Sequence, residues 1–119
     1  MRAQHFVLST GRQVIAGGGT QATQTISTGL EKFRIKKLTG FCSVQANDMR
    51  VRLTITKENR QMSNVLVPFA DLIGTAQLPS FIENLEIEGN SQITIDLQND
   101  NVLPQTYSIT FIGEKLLTY

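Results

Sequence analysis

From Met49 to Thr56 the chain alternates without a fault, with Met49, Val51, Leu53 and Ile55 on one side and Arg50, Arg52, Thr54 and Thr56 on the other. A two-residue period belongs to an extended strand with one buried and one wet face. The same period returns in Ser91–Gln98, which sets Ile93, Ile95 and Leu97 against Gln92, Thr94, Asp96 and Gln98, and in Tyr107–Gly113, which turns Tyr107, Ile109 and Phe111 inward. Between these two runs lies Asn99-Asp-Asn-Val-Leu-Pro-Gln105, rich in turn formers. The stretch from Asn90 to Leu117 therefore predicts one long β-hairpin. Upstream, Phe33 and Ile35 alternate with Arg34 and Lys36 until Lys37-Leu38 breaks the phase, which predicts a bulge ahead of Gly40–Val44.

The remaining segments are shorter or less regular. Lys57–Gln61 is a polar turn, Val65–Val67 a short strand ended by Pro68, and Phe69–Gly74 a single helical turn stopped by glycine. Residues 75–90 read as connection, with Phe81 and Ile82 pinning it to the core and Leu85 and Ile87 in a short strand. Before all of these, residues 1–28 offer Phe6-Val-Leu8, a triple glycine at 17–19 and a Thr/Gln stretch with little apolar surface. The pattern predicts an all-β fold, a single-domain jelly-roll-like antiparallel β-sandwich over residues 29–119, with an extended N-terminal arm over residues 1–28. Glycines placed before a hydrogen-bonding strand let such an arm leave its own domain, so pairing with a neighbouring subunit is expected.

Composition narrows the function classes. A chain of 119 residues can bury one adequate core. The single Cys42 excludes an intrachain disulfide and reads as a small buried thiol. The N-terminal residues lack the apolar run of a signal peptide, and no segment approaches a membrane span, so membrane partners are not expected. The net charge of +1 conceals an asymmetry: residues 31–60 hold eight Lys and Arg against three acids, and residues 61–119 hold seven acids against Lys115. Arg34, Lys36, Arg50 and Arg52 would attract phosphates if their strands were neighbours, but a pI near 7.9 makes contact with protein the better expectation than nucleic acid.

Catalytic chemistry finds little to work with. His5 is the only histidine, and without a second His, a partnered Cys or a Gly-x-Ser-x-Gly elbow no familiar triad or metal-bound water can be written, so no enzyme and no cofactor are expected. Glu86 and Glu88 would share a solvated strand face. Gly17–Gly19 lacks the Lys-Ser/Thr that completes a phosphate loop, and Asp96–Asn101 clusters oxygen ligands without the glycine and distal Glu of a calcium loop. A glycan platform would need exposed rings, yet the chain has no Trp and only Tyr107 and Tyr119, the former in phase with the core.

Residues 60–116 contain Ser63-Asn64 with Pro68, Gly74-Thr-Ala76 with Leu78-Pro79, Gly89-Asn-Ser-Gln-Ile93, Asn99-Asp-Asn101 and Phe111-Ile-Gly-Glu-Lys-Leu116. This succession resembles the β-sandwich virion proteins of bacteriophages. The resemblance implies a minor capsid, vertex or decoration subunit, made in the host cytoplasm and located in the virion, that works by binding other capsid or virion proteins. It brings no catalytic or ligand-binding residue. The candidate partner-binding residues are Arg34, Lys36, Arg50, Arg52, Glu86 and Glu88. Contact between the basic side of one copy and Glu86 and Glu88 of the next predicts a head-to-tail homo-oligomer, a trimer or pentamer. The alternative is a host-attachment or glycan-binding module.

Overall fold

A computed structural model describes residues 2–43, 48–55, 60–62, 65–73 and 80–117. The strands are β1 (Arg2–Ser9), β2 (Gln13–Ile15), β3 (Thr20–Ser27), β4 (Lys32–Cys42), β5 (Met49–Ile55), β6 (Arg60–Gln61), β7 (Val67–Pro68), β8 (Ser80–Ile87), β9 (Gln92–Asn99) and β10 (Gln105–Leu117), with one helical turn, α1 (Phe69–Leu72), after β7. They form two antiparallel sheets. Sheet A runs β1-β10-β4-β8 with β2 continuing β1 along β10; sheet B runs β3-β9-β5-β6 with β7 also on β5. The main strands alternate between the sheets along the chain, and this order is that of a jelly roll.

The two inner faces meet in one core. Phe33, Ile35, Met49, Val51, Leu53, Ile55, Ile93, Ile95, Leu97, Tyr107, Ile109 and Phe111, the inward set expected from the alternation, are all buried, joined by Leu8, Ile15, Leu38, Phe69, Ile73 and Ile87. The helical turn after Pro68 is present, while its expected stop at Gly74 lies outside the described residues. The absent side chain at Gly40 leaves room for Phe69 and Ile73 on the inner side of β4.

Four expectations need correction. First, β9 and β10 are not a hairpin: β9 pairs β3 and β5 in sheet B, β10 pairs β1 and β4 in sheet A, and residues 100–104 cross between the sheets. Both strands present apolar residues inward, and that pattern is the same for neighbours in one sheet as for strands facing each other across a core. Second, the strands of residues 2–27 pair within their own chain. β1 pairs the outer side of β10, and β3 pairs β9 over its whole length, so the arm supplies an edge strand to each sheet of its own sandwich. Gly18 and Gly19, with φ of 78° and 82°, turn the chain between β2 and β3. Third, the bulge sits at Lys36, one residue before the expected phase break. Ile112 faces Lys37 while Gly113 faces Ile35, and a Cβ on Gly113 would lie 1.9 Å from the Arg34 carbonyl oxygen. Fourth, β8 begins at Ser80, earlier than the short strand expected around Leu85 and Ile87.

The proposed Lys57–Asn59 part of the polar turn, Ser63-Asn64 and the Gly74–Pro79 connection lie outside the described residues, as do the side chains of Phe81 and Ile82.

Candidate interaction surfaces

The six candidate charged residues divide between opposite faces of the sandwich. Arg34, between buried neighbours, and Lys36, at the bulge, stand on the outer side of sheet A; Arg50 and Arg52 alternate with buried neighbours on the outer side of sheet B. The four cations are thus not one phosphate-binding face. Nor are they charges awaiting a partner. Arg34 Nη2 lies 3.3 Å from Glu86 Oε1 on the adjoining strand, and Lys32 Nζ lies 3.4 Å from Glu88 Oε1. Lys36 pairs with Glu114, Arg52 Nη2 donates to Asp96 Oδ2 at 3.1 Å, and Arg50 Nε lies 2.8 Å from Asp100 Oδ2. In that last pair the hydrogen bond runs from Arg50 Nη2 to Asp100 Oδ1 at 3.5 Å. The acidic and basic segments, separate along the chain, interleave once β4 meets β8 and β10 and β5 meets β9. These pairs are partly exposed, where solvent screening and the ordering of long side chains cancel most of the attraction.

Sheet B carries an ordered polar face. Along one row Thr23 Oγ1 donates to Asp96 Oδ1 at 3.0 Å, with Arg52 on the far side of Asp96. Along the next, Gln21 Nε2 donates to Gln98 Oε1 at 3.2 Å and Gln98 Nε2 to Asp100 Oδ1 at 2.8 Å. Val65 and Leu66 stand beside these rows and enclose a groove of about 410 Å³ with Gln21, Thr23, Arg52 and Asp96. The calcium-like cluster is absorbed here: Asp96 and Asp100 serve arginines, and Asn99 and Asn101 bind the chain itself. On sheet A a second groove of about 400 Å³ follows the bulge, between His5, Lys36, Lys37, Ile112, Gly113 and Glu114. The hydrogen bond from Lys36 holds the Glu114 carboxyl below its ordinary range.

The third surface was not visible in the sequence. At the end of the sandwich where β2 meets the start of β10, loop 100–104 is tied to the chain after β2. The fully buried Asn99 donates from Nδ2 to the carbonyls of Ile15 (3.2 Å), Ala16 (3.2 Å) and Leu103 (3.0 Å). Its Oδ1 accepts from Asn101 N–H at 3.1 Å and Gln105 Nε2 at 2.9 Å. Gly18 N–H adds a bond to Asn101 O at 2.8 Å. This buried amide holds up a loop whose apolar side chains face solvent: Val102 is 85% exposed and Leu103 56%, and Val14, opposite Thr106, is 70% exposed. The composition of the loop reads as an ordinary turn, and only the position of Asn99 between two loops reveals the platform.

Exposed aromatic surface is limited among the described residues. Tyr107 is buried and donates its hydroxyl to Gln24 Oε1 at 2.9 Å, and burial raises its pKa. Phe41 is 42% exposed, but the Arg12 guanidinium lies 4.8 Å above its ring. Cys42 is half-buried, with its thiol pushed up to about 12 by burial. The chain matches no family model, no curated protein and no solved structure.

Proposed function

We propose that this protein is a structural component of a virion, a minor capsid, vertex or decoration subunit that acts by binding neighbouring protein subunits. The observation that carries the reading is the exposed Val102 and Leu103 on a loop fixed by the buried Asn99, with Val14 exposed on β2, on a domain that pairs Arg34, Lys36, Arg50 and Arg52 within its own chain. A rigidly held group of exposed aliphatic side chains is desolvated favourably by a protein partner, at roughly 25 cal/mol per Å² of apolar area covered. The jelly-roll order of the strands and the resemblance of residues 60–116 to phage virion proteins support the same reading, although fold alone does not assign a function.

The test is a comparison of particles. Purified particles from producing cells should contain the chain in fixed proportion to the major capsid protein. A Val102→Asp/Leu103→Asp variant should keep its melting temperature and be lost from the particle. Particles that lack the wild-type chain would end this reading.

A glycan-binding role is supported by the polar groove at Thr23, Arg52 and Asp96 beside Val65. It is weakened by the cover of Arg12 on Phe41. Sugar binding that disappears in an Asp96→Asn variant would favour it over the structural role.

A further inference from the structure

The edges of the two sheets are not alike. On sheet A, the β1 edge carries Arg2 and His5 and is broken between Ser9 and Gln13, where Gly11 adopts a φ of 65°. The β8 edge carries Glu86, with a register shift where it meets β4. On sheet B, β6 and β7 have two residues each, and β7 ends in Pro68. Charge, proline, bulges and short length are the usual means by which proteins discourage strand addition. Edge strand β3, Thr20-Gln-Ala-Thr-Gln-Thr-Ile-Ser27, has none of them: it spans 8 residues without charge or proline, in unbroken register with β9.

The parity of the ladder shows what that edge offers. Thr28 N–H donates to Ser91 O at 3.0 Å, in step with the β3–β9 register. Even-numbered residues therefore turn their backbone groups to β9, and Gln21, Thr23, Thr25 and Ser27 turn theirs outward. Side chains at 21, 23, 25 and 27 are exposed, and those at 22, 24 and 26 are half-buried towards the core.

We infer that β3 is a pairing edge for a second copy of this chain, joining the two B sheets antiparallel across a twofold axis. The sequence selects the register. With the axis at Gln24, Thr23 faces Thr25, Gln21 faces Ser27, Ala22 faces Ile26 and Gln24 faces its twin. Thr23 and Thr25 thus pair hydroxyl with hydroxyl, Ala22 and Ile26 apolar with apolar, Gln24 amide with amide, and Gln21 sets its amide against the Ser27 hydroxyl, polar pairs and apolar pairs of the kind that stabilise neighbouring strands. A slip of the axis to Thr23 or Thr25 sets Gln24 against Ala22 or Ile26. In the chosen register the outward residues form about four hydrogen-bonded pairs of two bonds each. The contact closes on itself with two copies. It needs none of Arg50, Arg52, Glu86 or Glu88, whose pairing within the chain removes the electrostatic basis for a head-to-tail ring. Two strands alone make a small interface, so the dimer is of modest affinity and is favoured by the high local concentration of an assembly.

This inference rests on the assembly reading and names one partner within it. Sedimentation velocity over a micromolar-to-millimolar series should show a reversible dimer. Thr25→Pro removes an outward N–H and no bond to β9, so it should leave the melting temperature near that of the wild type while raising the dimer Kd at least about tenfold. A cross-link tests the register independently of that variant. In a Cys42→Ser background, Gln24→Cys should oxidise readily to a disulfide-linked dimer, because non-hydrogen-bonded partners lie about 4.5 Å apart at Cα, whereas Ala22→Cys alone should not. A chain that stays monomeric throughout yet is recovered in particles would overturn the edge pairing and leave the assembly reading standing. A dimer whose Kd is unmoved by Thr25→Pro and whose Gln24→Cys form does not cross-link would overturn it too.

Discussion

Asn99 offers the sharpest test of how the platform is built. Replacing it with alanine removes an amide that is fully buried and bonded to Ile15 O, Ala16 O, Leu103 O, Asn101 N–H and Gln105 Nε2. The bonds to Ala16, Leu103 and Asn101 are partly buried, and water can replace them at small cost. Those to the Ile15 carbonyl and the Gln105 amide are buried. Stripping a buried polar group of a partner costs about 1–3 kcal/mol. Two such losses give roughly 2–6 kcal/mol, a fall in melting temperature of roughly 8–24 °C for a domain of this size. Urea unfolding followed by circular dichroism would measure it, with the midpoint lowered and the slope retained. Asn99→Asp sharpens the test, since it keeps the shape but turns a carboxylate oxygen towards three carbonyls. Burial and that repulsion raise the folded-state pKa of the new acid above its unfolded value. The variant is therefore penalised most above that pKa, and its deficit relative to wild type should shrink as pH is lowered from 8 to 5. A loss below about half a kcal/mol in Asn99→Ala, with no pH dependence in Asn99→Asp, would show that the amide does not hold the two loops together.

The other expectations concern the core, the first strands and two single residues. Leu53→Ala or Ile95→Ala should each cost about 2–5 kcal/mol in equilibrium unfolding, and a loss under about half a kcal/mol at both sites would contradict the strand phase. Deleting residues 1–19 removes β1 and β2 with the buried Leu8 and Ile15, so the isolated chain should melt at a clearly lower temperature; an unchanged melting curve would mean that β10 does not need them. Gly113→Ala places a methyl 1.9 Å from the Arg34 carbonyl oxygen and should destabilise by about 1–3 kcal/mol or more through the forced shift of the bulge, as read by thermal melting. With its thiol pushed up to about 12, Cys42 should react with an alkylating reagent at pH 8 far more slowly in the native chain than after denaturation; equal rates would contradict its burial.

The alternation along the chain determined which side of each long strand faces the core. A period of two assigns every side chain to one of two faces, and burial of the apolar face leaves no freedom in that choice. Hence the inward sets of β5, β9 and β10 were legible from Met49–Ile55, Gln92–Asn99 and Gln105–Leu117 alone. Alternation does not name a strand's neighbour. Ile95 and Ile109 point inward whether their strands lie side by side or in facing sheets, so the crossing of residues 100–104 from sheet B to sheet A was decided by the tertiary structure. Pairing also decided the fate of the first strands. The Thr/Gln run has too little apolar surface to order itself, but the ladder with β9 satisfies one side of its backbone. Charge followed the same rule: the sequence separates Arg52 from Asp96 and Arg34 from Glu86, and the sheets place each pair on adjoining strands. Asn99 shows the limit most simply. Its composition says turn, and its role depends on carbonyls of Ile15 and Ala16 more than 80 residues away, a distance that only folding removes.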